Sequence, residues 1–154
     1  MIIGVISDTH GLLRPQALDA LRGSQHIIHA GDIGAADIIP VLQEIAPVTA
    51  IRGNVDHETW TRQFPETNSA ELAGLHIYII HSVKDLDLNP RAAGFAAVIS
   101  GHSHQPGQHT KDGVLYFNPG SAGPRRFKLP VSVGRLQIVN GKLTGEIIEL
   151  TVGE

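Results

Sequence analysis

The chain has 154 residues, which fits one domain over 1–154 and is long enough to bury a core without covalent staples. Lysine and arginine total 12 against 15 acidic residues, a formal charge of −3, so the basic footprint of a nucleic-acid tracking surface is missing. Cysteine is absent, which removes disulfides, thiolate ligands and cysteine nucleophiles and suits a reducing, cytoplasmic setting, and no apolar run approaches the ~20 residues of a membrane helix.

Met1 leads directly into Ile-Ile-Gly-Val-Ile, with no basic stretch before it and no small-residue cleavage site after it, so residues 2–7 are expected to be a strand, not a signal peptide. Pro15 suits the first turn of a helix in which Leu18 and Leu21 share a face and Gly23 ends it. Residues 26–30 predict a second strand. Ile38, Leu42 and Ile45 follow at helical spacing, with Asp37 near the start and Pro47 beyond the end. Residues 48–51 predict a third strand, completing a β-α-β-α-β order and hence a parallel sheet with packed helices.

The second half changes character. Residues 71–72 and 75–80 predict strands joined by a turn at Ala73-Gly74, Asn89-Pro90 predicts a capped helix start, and residues 96–99 predict another buried strand. Asp112-Gly113 and Asn140-Gly141 are two-residue hairpin turns, pairing 108–110 with 114–117 and 131–139 with 142–150. The expected architecture is an α/β, four-layer α-β-β-α sandwich: two mixed sheets packed face to face and flanked by helices.

Residues that bind hard or borderline metals stand where these apolar runs end: Asp8 and His10, Asp32, Asn54, His81, then His102 and His104. In open α/β sheets ligands bind beyond the carboxyl ends of strands, so residues far apart in sequence converge there. Singly, Asp8 and Asp32 could be helix caps and the histidines ordinary loop residues; as an ordered set they predict one site. Carboxylate, amide and imidazole without sulfur suit Mn²⁺, Fe²⁺, Zn²⁺ or Ni²⁺, with Mn²⁺ the first expectation. The ligands exceed the needs of one tetrahedral site, which predicts two divalent ions sharing a bridging group. Two ions about 4 Å apart can hold a phosphate and activate a water, the physical case for phosphoester hydrolysis.

The motifs D-x-H at Asp8 and His10, G-D at Asp32, G-N-x-D from Asn54 to Asp56, a histidine after a strand at His81 and G-H-x-H at His102 and His104 resemble those of the calcineurin-like metallophosphoesterase superfamily. Within it the chain is similar to the small YfcE-type phosphodiesterases, with the vacuolar sorting protein 29 group as relatives, over nearly its whole length through Asn118-Pro-Gly-Ser121 to Arg125. The resemblance implies that Asp8, His10 and His104 hold one metal, that Asn54, His81 and His102 hold the other, and that Asp32 bridges them, giving one oxygen to each. It implies a binuclear phosphodiesterase in which a metal-bound hydroxide attacks phosphorus, acting on a small phosphodiester such as a nucleotide.

Two positions depart from the pattern. Val55 stands where many members carry a histidine that protonates the leaving group, which disfavours poorly activated monoesters and leaves His57 as a substitute donor. Ser82 replaces the usual glycine after His81. Arg125 is a candidate bidentate ligand for substrate phosphate, or else a surface arginine. Asp56 is expected to cap a helix beginning near Glu58 or to orient a group at the site. Asn118 to Ser121 is expected to be a structural turn, and His26, His29, His76 and His109 to be core-edge or surface residues. Trp60 and Phe64 are expected to form an apolar helical pair, a cleft wall or a homo-oligomer contact. The rival readings are a phosphomonoesterase and a scaffold that binds metal or a partner protein without catalysis.

Overall fold

The computed structural model describes residues 1–153. In chain order they form β1 (Ile2–Ile6), α1 (Pro15–Leu21), β2 (His26–His29), α2 (Ile38–Gln43), β3 (Val48–Ala50), β4 (Thr67–Leu72), β5 (Leu75–Ile80), β6 (Phe95–Ile99), β7 (Gly107–Lys111), β8 (Val114–Asn118), β9 (Ser132–Val139) and β10 (Lys142–Glu149). Short 3₁₀ turns cover Thr59–Gln63 and Val83–Asp85. The first sheet has the order β10-β9-β1-β2-β3 and the second β4-β5-β6-β8-β7. Parallel pairing of β1 with β2, β2 with β3, β5 with β6 and β6 with β8 is flanked by antiparallel edges, so both sheets are mixed.

Period-two alternation sorts each strand between two cores. Ile3 and Val5 of β1, Ile28 of β2 and Leu136 and Ile138 of β9 pack against Ile77, Ile79, Ala97, Ile99 and Phe117 of the second sheet. On the other face of the first sheet, Ile6, Ile27 and Val133 meet Ala17 and Leu21 of α1 and Ile38, Ile39 and Leu42 of α2. Helices of seven and six residues are too short to persist alone, so this burial is what holds them.

The architecture is the expected α/β sandwich of two mixed sheets, with a thin helical cover. Both α-helices pack on the first sheet. The second sheet carries a smaller outer cluster of Ile80, Val98 and Val114 with Tyr78 and Tyr116. All three expected hairpin turns form, with left-handed backbone at Ala73-Gly74, Asp112-Gly113 and Asn140-Gly141. Two local expectations need correction. Asn89-Pro90 opens a single turn, not a helix: Asn89 Oδ1 accepts the Ala92 N–H at 3.1 Å as a cap would, but Gly94 at φ +86° ends the turn and feeds β6. β4 begins at Thr67, four residues before the expected strand, because pairing with β5 recruits a polar edge that has no apolar pattern of its own.

Candidate metal centre

The candidate ligands stand beyond the carboxyl ends of β1, β2, β3, β5 and β6, and the two-sheet packing brings those ends together. Ligand atoms of Asp8, His10 and His104 lie within 4.8 Å of one another, and so do those of Asp32, His81 and His102. Within the first set His104 Nε2 is 3.5 Å from Asp8 Oδ1 and 3.3 Å from His10 Nε2. Within the second, His81 Nε2 is 3.2 Å from Asp32 Oδ2, and Asn54 Oδ1 joins it 3.2 Å from His102 Nδ1. Two donors on one tetrahedral ion with bonds of ~2.1 Å sit ~3.4 Å apart, so these spacings are compatible with pairs of ligands on one ion.

Asp32 stands between the sets. Its Oδ2 is 3.6 Å from His10 Nε2 and 3.2 Å from His81 Nε2. Its Oδ1 accepts the Val55 N–H at 3.1 Å, and its Oδ2 is the oxygen within 4 Å of a histidine of each set. Gly53 is required here, because a Cβ at that position would overlap the Asp32 carboxylate.

The backbone marks the site more sharply than any spacing does. Asp8, His10, Asp32, His102 and His104 all have positive φ, between +46° and +70°. Left-handed backbone at a residue other than glycine costs on the order of 1–3 kcal/mol and persists only where the surroundings impose it. The imposing network is visible. Ser7 Oγ donates to Asp8 Oδ2 at 2.7 Å and the His102 N–H donates to it at 3.0 Å. Asp56 is not a helix cap: its carboxylate accepts N–H groups from Ile33, Gly34 and Gly53, tying the Asp32 loop to the Asn54 loop. Asn118 Nδ2 donates to Gly101 O at 3.0 Å, fixing the loop of His102 and His104.

His29 is not at a core edge; it is fully buried. Its Nδ1 accepts the Gly31 N–H at 3.1 Å, so Nε2 carries the hydrogen and donates to Thr9 Oγ1 at 3.0 Å. Thr9 Oγ1 in turn donates to Ile33 O at 2.8 Å, which joins the Asp8 and Asp32 loops. No spacing in the sequence separates this histidine from the candidate ligand histidines; only its position inside the predicted strand 26–30 hints at burial.

Electrostatics fit a cationic occupant. Asp8 Oδ1 is buried without a hydrogen-bond donor although it faces three imidazoles, and His81 Nε2 is buried without a hydrogen-bond partner. His81 Nδ1 lies 2.7 Å from the Ala30 carbonyl, which can only accept, so Nδ1 carries a hydrogen and Nε2 is the nitrogen turned towards the carboxylates. Burial raises Asp8 to about 6, with His81 opposing and Asp32 adding to the rise. Asp32 is held near 2 because, against burial, the His81 ring and the Val55 N–H stabilise its charge. His81 is raised: burial opposes its charge, but Asp32, the Ala30 carbonyl and Asp8 outweigh it. His104 is lowered to about 4 by burial, by Arg126 and by His10, and His10 is lowered chiefly by burial. His10 and His104 are thereby kept neutral at pH 7, the form in which an imidazole binds a divalent ion.

The second set opens into a cleft of about 800 Å³ whose lining includes Asn54, His57, Tyr78, Ile80 and Lys84. Val55 is 46% exposed and supplies its N–H, not a side-chain proton. Ser82 has φ −115° and ψ 121°, extended backbone that any residue adopts, so the glycine departure does not distort the loop. Arg125 Nε donates to Leu129 O at 3.3 Å, which holds it on its own loop; the neighbouring Arg126 is the charge felt at His10 and His104.

Residues 1–141 match the calcineurin-like phosphoesterase superfamily domain, and the chain belongs to that family. It is 35% identical over 164 residues to a probable metallophosphoesterase of Methanothermobacter thermautotrophicus, covering 96% of this chain and 92% of that protein. Solved structures with the same fold include a novel archaeal phosphodiesterase (TM-score 0.79, 24% identity, 96% of this chain and 100% of that one). They also include YfcE, a phosphoesterase from E. coli (0.71, 23%, 97% and 100%) and Vps29 of Entamoeba histolytica complexed with Zn²⁺ (0.73, 22%, 97% and 99%).

Proposed function

We propose that this protein is a binuclear metal-dependent phosphodiesterase. The observation that carries the reading is the pair of ligand sets, each within 4.8 Å, with Asp32 Oδ2 facing both. Asp8, His10 and His104 would hold one divalent ion, Asn54, His81 and His102 the other, and Asp32 both. When bound, Mn²⁺ or another first-row ion polarises phosphoryl oxygens and lowers the pKa of a water. The protein's own part is to seat the ester. Asn54 contributes an uncharged oxygen, so the centre keeps positive charge for an anionic substrate. The cleft beside it accommodates an ester substituent. Val55 cannot protonate a departing alkoxide, and His57, which lines the cleft, is the donor assigned to that step. Weak proton donation favours activated diesters over monoesters. A cytoplasmic setting agrees with the absence of cysteine.

The test is hydrolysis of bis(p-nitrophenyl) phosphate by metal-stripped protein with each divalent ion restored in turn. Activity returned by Mn²⁺ or a related ion and exceeding that on p-nitrophenyl phosphate supports the diesterase; higher activity on the monoester reassigns the centre as a phosphomonoesterase. Asp32→Ala is expected to lose the second ion and at least ~10³-fold in kcat, and unchanged turnover in that variant rejects the centre. The likeness to Vps29 favours one further reading, a protein-binding scaffold. It is adopted if folded protein binds metal yet hydrolyses neither ester.

A further inference from the structure

The cleft of about 800 Å³ beside the second ligand set runs back along the outer face of β5, from His81 towards Tyr78. Asn54, His81 and His102 stand at its head, and among the described residues none of the first set lines it. Alternation along β5 turns Ile77 and Ile79 into the core between the sheets and leaves Tyr78 and Ile80 on the opposite face. Both α-helices pack on the first sheet, so among the described residues no α-helix covers that face. The partners across β4 are small: Ser69 lies opposite Tyr78 and Thr67 opposite Ile80. The Phe95 ring backs the tyrosine, with centroids 5.0 Å apart and planes tilted by 50°. The result is an aromatic and aliphatic wall that begins where the ligands end, with Tyr78 ~10 Å along the chain from His81.

The charges round the cleft decide what this wall can meet. The acids are Asp56, Glu66, Asp85 and Asp87, and the cations are Arg52 and Lys84. Asp56 is occupied by backbone N–H groups. Arg52 is engaged as well: its Nη1 donates to Phe64 O at 2.9 Å and its Nη2 to Glu66 Oε1 at 3.2 Å. That leaves Lys84 against Asp85 and Asp87. An ester arm bearing further phosphates finds no free guanidinium in the cleft and a surplus of carboxylates, which repel it more strongly as water is displaced. An uncharged apolar arm meets no such cost and gains by covering Tyr78 and Ile80. His57 lines the same cleft, so the arm held there is the one it would protonate, the departing alcohol.

We propose that this cleft seats the departing arm of the phosphodiester and that Tyr78 is its specificity-determining residue, selecting an uncharged apolar or aromatic alcohol. The ring packs against the arm while the phosphoryl group lies at the second ligand set. Water adds to phosphorus and gives a proton to solvent, the P–O bond to that arm breaks, and the arm leaves as its alcohol with a proton from His57, which solvent then restores. The proposal rests on the phosphodiesterase reading and names the leaving group which that reading leaves open.

The test is calorimetric titration of Zn²⁺-loaded protein with methylphosphonate, 3-phenylpropylphosphonate and 3-aminopropylphosphonate. The phenyl compound is expected to bind about tenfold tighter than methylphosphonate, and the amine no tighter. Tyr78→Ala should erase the phenyl preference and leave methylphosphonate binding intact, which also reports a folded centre; Tyr78→Phe should keep the preference. Tyr116→Ala, on the same face but outside the cleft lining, should change neither. Where the alanine variant does not fold, the wild-type protein decides: a nuclear Overhauser contact between the ligand's phenyl group and the Tyr78 ring is expected, and its absence overturns the proposal. So do equal affinities for the phenyl and methyl compounds, a preference that survives Tyr78→Ala, or tighter binding of the amine, which would make the carboxylates and not the ring the selecting feature. Hydrolysis of bis(p-nitrophenyl) phosphate by the Mn²⁺-restored wild type reports separately: its absence removes the phosphodiesterase reading, whereas the titration decides the cleft.

Discussion

At the scale of single residues, the centre is held by side chains that touch no ion. Asp56 and the His29–Thr9 relay fix the loops that carry Asp8, Asp32 and Asn54. His29 also makes stability depend on pH. Burial lowers it from its ordinary 6.5 to about 3, so the unfolded chain takes up a proton at a pH where the folded one does not. Its contribution is complete above pH 6.5 and is lost as pH falls from 6.5 towards 3, at about 1.4 kcal/mol per pH unit. Urea denaturation of metal-free protein between pH 7 and 4 should show a shallower loss in His29→Gln than in wild type; parallel curves reject the assignment. The convergence of the candidate ligands was legible because each is a distinctive residue at a strand end. His29 was not, because burial leaves no residue pattern behind, and for Asp56 the sequence left a cap and a group at the site as alternatives.

At the scale of elements, the placement of ligands depends on two sheets meeting squarely, and Phe117 of β8 is the largest fully buried side chain at that junction. Its ring lies over the backbone of β9 and β10, where Gly134 and Gly145 leave room for it. Phe117→Ala should therefore cost about 3–5 kcal/mol. Thermal unfolding is the measurement; a shift corresponding to less than ~1 kcal/mol would mean that the sheets close over the gap. Strands β1, β2, β5 and β6 were readable as β-branched apolar runs, and the hairpins from Asp-Gly and Asn-Gly turns. The first half of β4 was not, since Thr67 to Ala70 is polar and becomes a strand only by pairing with β5. The helix expected from Asn89-Pro90 failed for the opposite reason: the local cap signal is real, but one turn of chain is all that fits before β6.

At the scale of the whole molecule, the metal-free fold carries a buried carboxylate in excess. Asp8 is raised from 3.8 to about 6, so its contribution to stability is fully present below pH 3.8 and is lost as pH rises through 6. A divalent ion reverses that balance, while protons compete for Asp8 and the histidines at low pH. Mn²⁺ at a hundredfold excess over its Kd should add about 2.7 kcal/mol at pH 7.5, a rise of roughly 5–10 °C in unfolding temperature for a domain of this size. At pH 5 less than a third of the rise should remain. Equal shifts at both pH values would show that these residues are not the ligands. The two-sheet class and the convergence of strand ends followed from the β-α-β-α-β order and the hairpins. The thinness of the helical cover did not, because the outer surface of the second sheet is set by turns whose lengths, not compositions, exclude helices.

The left-handed backbone of Asp8, His10, Asp32, His102 and His104 also restricts what those positions can become. Apart from glycine, the residues that enter this conformation most readily are asparagine, aspartate and histidine. Those are short oxygen and nitrogen donors, the same alphabet from which a site for hard and borderline ions is written. Backbone shape thus acts as a filter on mutation. Drift at these loops exchanges one donor for another and retunes which ion is held, whereas a change to a β-branched or bulky apolar residue is opposed twice, once by the lost donor and once by the chain itself. A lineage that abandoned catalysis on this scaffold would be expected to pass through asparagine or glycine, leaving a recognisable hollow where the metals had been.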